Sequence, residues 1–166
     1  MRHYDSLLWA STNVSGVSIE AAGDVAFGRL FGYISGANAA GTAVDMTAPV
    51  LNRVVPGAGP NCNSTFTISF FTPYALQTDA GPPAPTADDV FVGTIGPLAV
   101  AVAEFPGFAH DDDIVARAAA LEEAVEAADG LAMDAAFGDS WWFAAYDSPY
   151  RLTNRHNEVW VPVVVA

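Results

Sequence analysis

Basic residues are scarce in this chain, and lysine is missing altogether. The six cationic side chains are all arginines and are outnumbered by 19 acidic residues, so the formal net charge is -13. Nucleic-acid binding depends on cations that neutralise phosphates, and anionic membrane surfaces attract the same cations. The composition therefore argues against a nucleic acid and against an anionic membrane as a partner.

Recognisable metal-binding and catalytic patterns are missing too. Cys62 is the only cysteine, which excludes an intrachain disulfide and a cluster of thiolate ligands. The three histidines, His3, His110 and His156, show none of the spacings of a zinc site. No nucleophile elbow marks a serine, and no general acid–base pair is visible. We therefore predict no catalytic residues and expect a binding protein rather than an enzyme.

Long apolar runs are absent as well. No uninterrupted apolar stretch reaches the ~18 residues of a transmembrane helix, and residues 1–5 lack the apolar core of a signal peptide. We expect a soluble protein of the cytoplasm or of an organelle, the chloroplast included if a transit peptide has been removed. The 166 residues, 52% of them hydrophobic, suit one domain over residues 1–166, as a monomer or a small homo-oligomer.

Two helices are predicted from apolar residues that recur at helical spacing. The first covers residues 19–35, with Ser18 as its N-cap. The second covers residues 112–128, where acidic residues at the start suit the helix dipole and Gly130 ends the helix. The first helix carries an apolar stripe made of Ile19, Ala22, Ala26, Leu30 and Tyr33 or Ile34.

Extended segments fill much of the remaining chain. They are predicted at residues 4–14, 44–55, 65–70, 88–105, 141–146 and 158–165, the fourth split into two strands around Gly96-Pro97. Each half of the chain thus contains a helix followed by a pair of extended segments. The natural arrangement is an α+β fold in which two helices pack on a barrel-like sheet. Trp141 and Trp142 are neighbours on one strand, so one ring is expected to face away from the core.

Some aromatic residues and histidines are candidates for ligand contact. Phe27 and Phe31 form an i, i+4 pair beside the apolar stripe, where they either join the core or line a cleft for a flat apolar ligand. His3 lies near the terminus of the chain, where solvent is its expected environment. His110 precedes three aspartates at a helix start, where solvent or an acid is its expected partner. His156 lies in a polar loop from which it could reach a ligand.

Short motifs follow one another along almost the whole chain. They are Arg2-His3-Tyr4, Trp9-Ala10-Ser11-Thr12, residues 31–38, Met46-Thr47-Ala48-Pro49-Val50, Phe105-Pro106-Gly107-Phe108-Ala109, residues 145–149 and residues 155–161. In content and order they resemble the SOUL haem-binding protein family. The resemblance implies a distorted antiparallel β-barrel flanked by two α-helices and built from two pseudo-repeated halves.

The same resemblance implies a ligand and a site. The ligand would be haem b or a related tetrapyrrole, held in an apolar cleft between the first helix and the loop of the closing hairpin. Phe27 and Phe31 would lie on the helix side of this cleft, and Arg151 in the loop would pair with a propionate. His3, within the Arg-His-Tyr motif, would be the axial ligand of the iron.

The function that follows is reversible haem binding by a carrier, buffer or sensor. One alternative is an enzyme that degrades haem or performs haem-dependent redox chemistry at an open distal position. A second alternative is a domain that senses a small ligand other than haem. Such barrels also occur in bacterial drug-binding regulators, but no DNA-binding segment accompanies this one.

Overall fold

The first helix, α1 (Ile19–Ile34), begins where the sequence predicts. The structure, a computed structural model, describes residues 1–59 and 62–165. The Ser18 side chain accepts a hydrogen bond from the backbone N–H of Ala21 at 3.0 Å and so caps the first turn. The predicted stripe is the buried face of the helix: Ile19, Ala22, Ala26, Leu30, Tyr33 and Ile34.

The second helix, α2 (Asp111–Glu126), starts one residue earlier than predicted and is tied to the first. The carboxylate of Asp111 accepts hydrogen bonds from the backbone N–H groups of Ile19 at 3.1 Å and Glu20 at 3.0 Å. A carboxylate at two helix N-termini is favourable because both present unsatisfied N–H groups. The start of α2 is therefore fixed against the start of α1.

In the described residues, nine strands form one antiparallel sheet against which the helices pack. They are β1 (Arg2–Tyr4), β2 (Leu7–Gly16), β3 (Val50–Val55), β4 (Ser64–Phe71), β5 (Phe91–Ile95), β6 (Leu98–Phe105), β7 (Leu131–Met133), β8 (Trp141–Ala145) and β9 (Asn157–Val165). Their order is β1-β6-β9-β8-β3-β4-β2-β5, and the short β7 pairs with β9. The central six strands are symmetric, because β6-β9-β8 and β3-β4-β2 each come from a strand, a helix and two further strands. This topology confirms the α+β fold with two pseudo-repeated halves.

The sheet curls until its two ends meet. Tyr4 of β1 is opposite Leu98 of β6, and Leu7 of β2 is opposite Ile95 of β5. The two pairs share one register, so β1 and β2 together run antiparallel to β6 and β5. This ladder joins the two ends of the sheet. This closure makes the distorted barrel that the sequence predicts. In the described part of the chain, no helix has the length and hydropathy needed to cross a lipid bilayer.

Both faces of the sheet are covered, which corrects one expectation. Trp141 packs among the helix-side residues and Trp142 among those of the barrel interior, and both rings are buried. The expectation that one of them faces away from the core is therefore wrong. Alternation along a strand separates the two rings correctly, but it does not reveal that the far face encloses a second core.

The strand predicted at residues 44–55 begins only at Val50. Pro49 has no N–H to donate to a sheet ladder, so the preceding segment cannot continue β3 inwards. Residues 46–49 instead run irregularly past the end of the barrel. That position places Met46, Thr47 and Ala48 on the wall of a cleft.

Candidate functional site

A cleft of about 760 Å³ opens between the two helices and the end of the barrel. Its walls come from α1, the irregular residues 46–49, the loop that leads into α2, and the loop between β8 and β9. Cavities of several hundred cubic ångströms are typical of sites for cofactors and other small molecules. The location agrees with the cleft that the family resemblance implies.

Apolar side chains around this cleft are unusually exposed. Phe27 is 42% exposed, Met46 47%, Phe108 51% and Tyr150 90%, and all four line the cleft. A concentration of exposed aromatic and apolar groups marks a surface that a ligand or partner covers. Gly23 lines the same wall of α1, and a Cβ placed there would meet no atom within 4 Å. The helix wall is thus open beside Phe27.

Phe27 and Phe31 stack on one another along α1. Their ring centroids are 5.5 Å apart with an interplanar angle of 14°, and the edge of Phe27 also meets Phe70 at 5.8 Å. Phe27 lines the cleft, whereas Phe31 lies one turn further along and is 49% exposed. The exposure of both rings argues against a place in the core, but only Phe27 is among the described cleft residues, so contact of Phe31 with a ligand stays a prediction.

Arg155 is the cation on the cleft wall. Its guanidinium donates to three backbone carbonyls of the loop, at 2.8 Å to Ser148, 2.8 Å to Arg151 and 3.4 Å to Asp147. It also lies 4.6 Å from the centre of the Phe108 ring. Within residues 1–59 and 62–165, no carboxylate forms a salt bridge with it, and its buried Nε has no hydrogen-bond partner. The guanidinium thus keeps a charge that an anion in the cleft could pair with.

Arg151, the cation that the sequence assigned to a propionate, is engaged elsewhere. Its Nη1 donates to the Asp147 carboxylate at 2.7 Å, and its Nε donates to the Thr153 carbonyl at 3.1 Å. Asp147 accepts a backbone hydrogen bond from His156, and this bond, followed by the charge of Arg151, lowers the pKa of Asp147. Arg151 is not among the described residues that line the cleft. Its role toward a propionate stays a prediction.

His156 points into a network in the barrel. Its Nε2 shares a hydrogen bond of 2.7 Å with Glu158, a carboxylate that is only 1% exposed. Glu158 also accepts from Arg2 at 2.8 and 2.9 Å, from the Tyr146 hydroxyl at 2.9 Å and from the Trp160 indole at 2.7 Å. Burial alone would raise the pKa of Glu158, but these four donors together hold it below its ordinary value. Contact between His156 and a ligand stays a prediction.

Glu104, His156 and Glu158 bring three ligand atoms within 4.8 Å of one another, a spacing that a metal ion could bridge. In this structure the cation that bonds these carboxylates is the guanidinium of Arg2. Its guanidinium donates to Glu104 at 2.6 Å as well as to Glu158, so both carboxylates already share one cation. The cluster is therefore an ion-pair network that joins β1, β6 and β9.

His3 lies on the opposite face of β1 from its neighbours. Arg2 joins the Glu158 network and Tyr4 stacks on Trp160 at 4.7 Å, whereas His3 between them is exposed. His3 is not among the described cleft residues, but His110 is. Sequence reasoning thus missed His110 and Arg155 as cleft residues. The signal for both was their position in or beside the motifs at residues 105–109 and 155–161.

A second, smaller cavity of about 170 Å³ is lined largely by residues of the barrel interior and opens to solvent. Its walls are largely aromatic, with the carboxylate residue Asp5 among them. Ala48 and Tyr146 line both this cavity and the cleft, so they form the partition between the two. The aromatic residues of its wall are Tyr4, Trp9, Phe71, Tyr74, Tyr146 and Trp160.

Comparison with known proteins agrees with this architecture. The family profile described as "SOUL heme-binding protein" matches residues 1–162. "Heme-binding protein 2" of Homo sapiens is 36% identical over 165 residues, which cover 97% of this chain and 76% of that protein. "Heme-binding protein 1" of Sus scrofa is 29% identical over 153 residues, which cover 92% of this chain and 77% of that protein.

Solved structures share the fold at low sequence identity. The crystal structure of the EcmrR C-terminal domain superimposes with a TM-score of 0.74 at 10% identity and covers 99% of this chain and 96% of that one. The structure of SAV2435 bound to tetraphenylphosphonium has a TM-score of 0.53 at 13% identity and covers 98% of this chain and 92% of that one. At these identities the likeness concerns the fold alone.

Proposed function

The chain belongs to the SOUL haem-binding protein family, and we propose that it binds haem reversibly in the cleft between α1 and the loop that joins β8 to β9. It acts there as a carrier, buffer or sensor. One observation supports this most strongly: Arg155 lines an open apolar cleft and, within the described residues, forms no salt bridge with a carboxylate. In a chain with a net charge of -13, a cation on a cleft wall that forms no direct ion pair within the described residues favours an anionic ligand.

The residues of the cleft suit a flat apolar molecule with acidic edges. Phe27 and Phe108 offer aromatic surface to a macrocycle, and the open wall at Gly23 leaves room beside them. Arg155 donates to a propionate and so supplies a charge-assisted hydrogen bond. When bound, haem would supply an iron centre able to accept an axial ligand. Haem b is the proposed ligand, and other tetrapyrroles with propionates meet the same requirements.

The direct test is a titration of the purified protein with ferric haem, followed by absorbance. We expect a shifted Soret band that saturates at one haem per chain. Excess apomyoglobin should then remove the haem, because a carrier or buffer releases its ligand to a tighter acceptor. A spectrum identical to that of haem in buffer at all ratios would refute the proposal.

The same sample distinguishes binding from haem breakdown. After loading, ascorbate or hydrogen peroxide is added and the Soret band is followed over time. If the protein is a carrier, the Soret band persists and changes only as the oxidation state of the iron changes. Bleaching with release of iron, beyond the rate seen for haem on serum albumin, would favour the enzymatic alternative.

Axial ligation by His3 stays a prediction at this point. Its imidazole is exposed on the outer face of β1. It could ligate haem iron only if the haem bound against that face. The cleft proposal does not require this, because apolar contact and the propionate contact can hold a porphyrin without an axial bond. Spectra of the His3→Ala variant test the ligation separately from binding.

The interior cavity supports a second candidate function, the binding of a small ligand other than haem. Its volume of about 170 Å³ is close to that of cavities that hold one benzene ring. Aromatic walls with a carboxylate nearby favour a small organic cation through cation–π attraction. Benzylammonium is a suitable probe, because Trp9 and Trp160 line the cavity and their fluorescence reports occupation. Unchanged fluorescence at millimolar benzylammonium would reject this candidate.

A further inference from the structure

The three histidines of this chain occupy three different environments. His3 is exposed on the outer face of the barrel, and the ring of His156 is held by Glu158 and lies edge-on to Tyr146 at 4.7 Å. His110 alone among them lines the cleft. Across the described residues its side chain enters no hydrogen bond or ion pair. His110 is thus the histidine at the cleft wall whose side chain has no described partner.

The position of His110 is fixed by its neighbours. It is the N-cap residue of α2, where its carbonyl accepts the first helical hydrogen bond from Ile114 at 3.0 Å. The next residue, Asp111, bonds the N-terminus of α1 through two backbone N–H groups. The backbone that carries the imidazole is therefore fixed against the start of α1, which lines the same cleft. A ligand held in position before binding loses less conformational entropy on coordination.

The wall across from the loop has space for a macrocycle. Gly23 and Phe27 lie one turn apart on α1, and the position of a Cβ at Gly23 is open. Phe108, two residues before His110, carries the guanidinium of Arg155 over its ring. The cation for a propionate and the imidazole thus belong to one short stretch of the cleft wall. An uncharged imidazole nitrogen is a common axial ligand of haem iron.

We propose that His110 is the axial ligand of a haem bound in the cleft. The proposal rests on the proposed function, since it concerns the same site, but it can fail while haem binding stands. A neutral imidazole nitrogen donates an electron pair to the iron, with no change of oxidation state and no other reactant.

The test compares His110→Ala with His3→Ala, each loaded with ferric haem. We expect His110→Ala to change the Soret band and the electron paramagnetic resonance spectrum, and added imidazole to restore them. His3→Ala tests the competing assignment and should keep the wild-type spectra. The substitution is mild for folding because the His110 side chain makes no capping bond to α2.

Metal-free protoporphyrin separates the two claims, since it needs no axial ligand. Quenching of tryptophan fluorescence should show that His110→Ala and the wild type bind it equally, whereas haem affinity falls about tenfold in His110→Ala. Wild-type spectra retained in His110→Ala would overturn the axial role alone, as would a loss of those spectra in His3→Ala. Failure of the wild type to bind either porphyrin would instead overturn the proposed function.

Discussion

Arg155 and Glu158 lie three residues apart at the start of β9, yet the partners that surround their charges differ. Glu158 is almost fully buried and has hydrogen-bond donors on all sides, one of them the guanidinium of Arg2. Arg155 lines an open cleft, bonds only backbone carbonyls and has an Nε without a partner. Glu158 therefore has its charge and hydrogen-bond partners within the protein, whereas Arg155 has no ion-pair partner among the described residues.

This difference separates a structural network from a binding site. A buried charge that keeps all its partners stabilises the fold only as long as each partner remains. A cation held in place by carbonyls but lacking an anion keeps its electrostatic attraction for a ligand. Distance along the sequence does not distinguish these roles, because Glu158 lies in β9 with its side chain in the barrel network, whereas Arg155 lies in the loop just before that strand.

The largest expected effect comes from breaking the complete network. Glu158→Gln keeps the shape of the side chain but leaves Arg2 without its buried anion. Because Glu158 is the buried charged acceptor of four donors, losing its charge should lower the free energy of unfolding by about 2 kcal/mol, measured by urea denaturation. Glu104→Gln is the matched control, since its carboxylate bonds the same Arg2 but is 56% exposed. That change should cost less than about 1 kcal/mol, and equal losses in the two variants would contradict the comparison.

The same network predicts a dependence of stability on pH. The pKa of Glu158 is lowered because four donors outweigh its burial, so the unfolded chain binds more protons across the carboxyl range. Its contribution is complete above the ordinary glutamate pKa of about 4.3 and is lost as the pH falls through the folded value. Urea denaturation between pH 7 and pH 3 should show falling stability in acid. Glu158→Gln should flatten this slope, and an unchanged slope would remove Glu158 as its cause.

Arg155 provides the next prediction. Arg155→Ala should weaken haem binding by roughly 1–3 kcal/mol, as expected for a lost charge-assisted hydrogen bond. Arg151→Ala, whose guanidinium is already paired with Asp147, should have a smaller effect. Titration with haem dimethyl ester checks the cause, because the esters carry no negative charge. If Arg155→Ala weakens binding of the ester as much as that of haem, the propionate contact is not the reason.

The smallest expected effect concerns the stacked pair on α1. Phe27→Ala removes a ring from the cleft wall and should weaken haem binding by about 1 kcal/mol. Phe31→Ala removes only the ring that supports Phe27 and should weaken it by less. Haem titrations of both variants, with melting curves to confirm folding, measure the difference. A larger loss in Phe31→Ala would mean that the ligand extends along the helix beyond the cleft.

Local patterns predicted the helices well, because capping and apolar spacing act within a few residues. Ser18 and the stripe ending at Ile34 are found as expected. The short strand β7 went unpredicted, because three residues carry too little alternation to be distinguished from a loop. The burial of both Trp141 and Trp142 was not predicted either, because it depends on a sheet that closes on itself.

The candidate site was predicted less completely than the fold. The resemblance to the family indicated the cleft and the helix wall that carries Phe27. Choosing between Arg151 and Arg155 requires knowing which partners each side chain already has, and choosing between His3 and His110 requires knowing which of them lines the cleft. Asp147 takes Arg151 and leaves Arg155 without an acid, and this depends on how the loop folds back on itself.

Filling the cleft tests the central claim most directly. Gly23→Trp places a large ring on the cleft wall of α1, whereas Gly28→Trp adds the same ring to the exposed side, and neither site meets an atom within 4 Å of the new Cβ. Both variants are titrated with ferric haem. The account predicts that Gly23→Trp loses saturable binding while Gly28→Trp binds like the wild type. Undiminished binding in a folded Gly23→Trp variant would show that haem binds elsewhere.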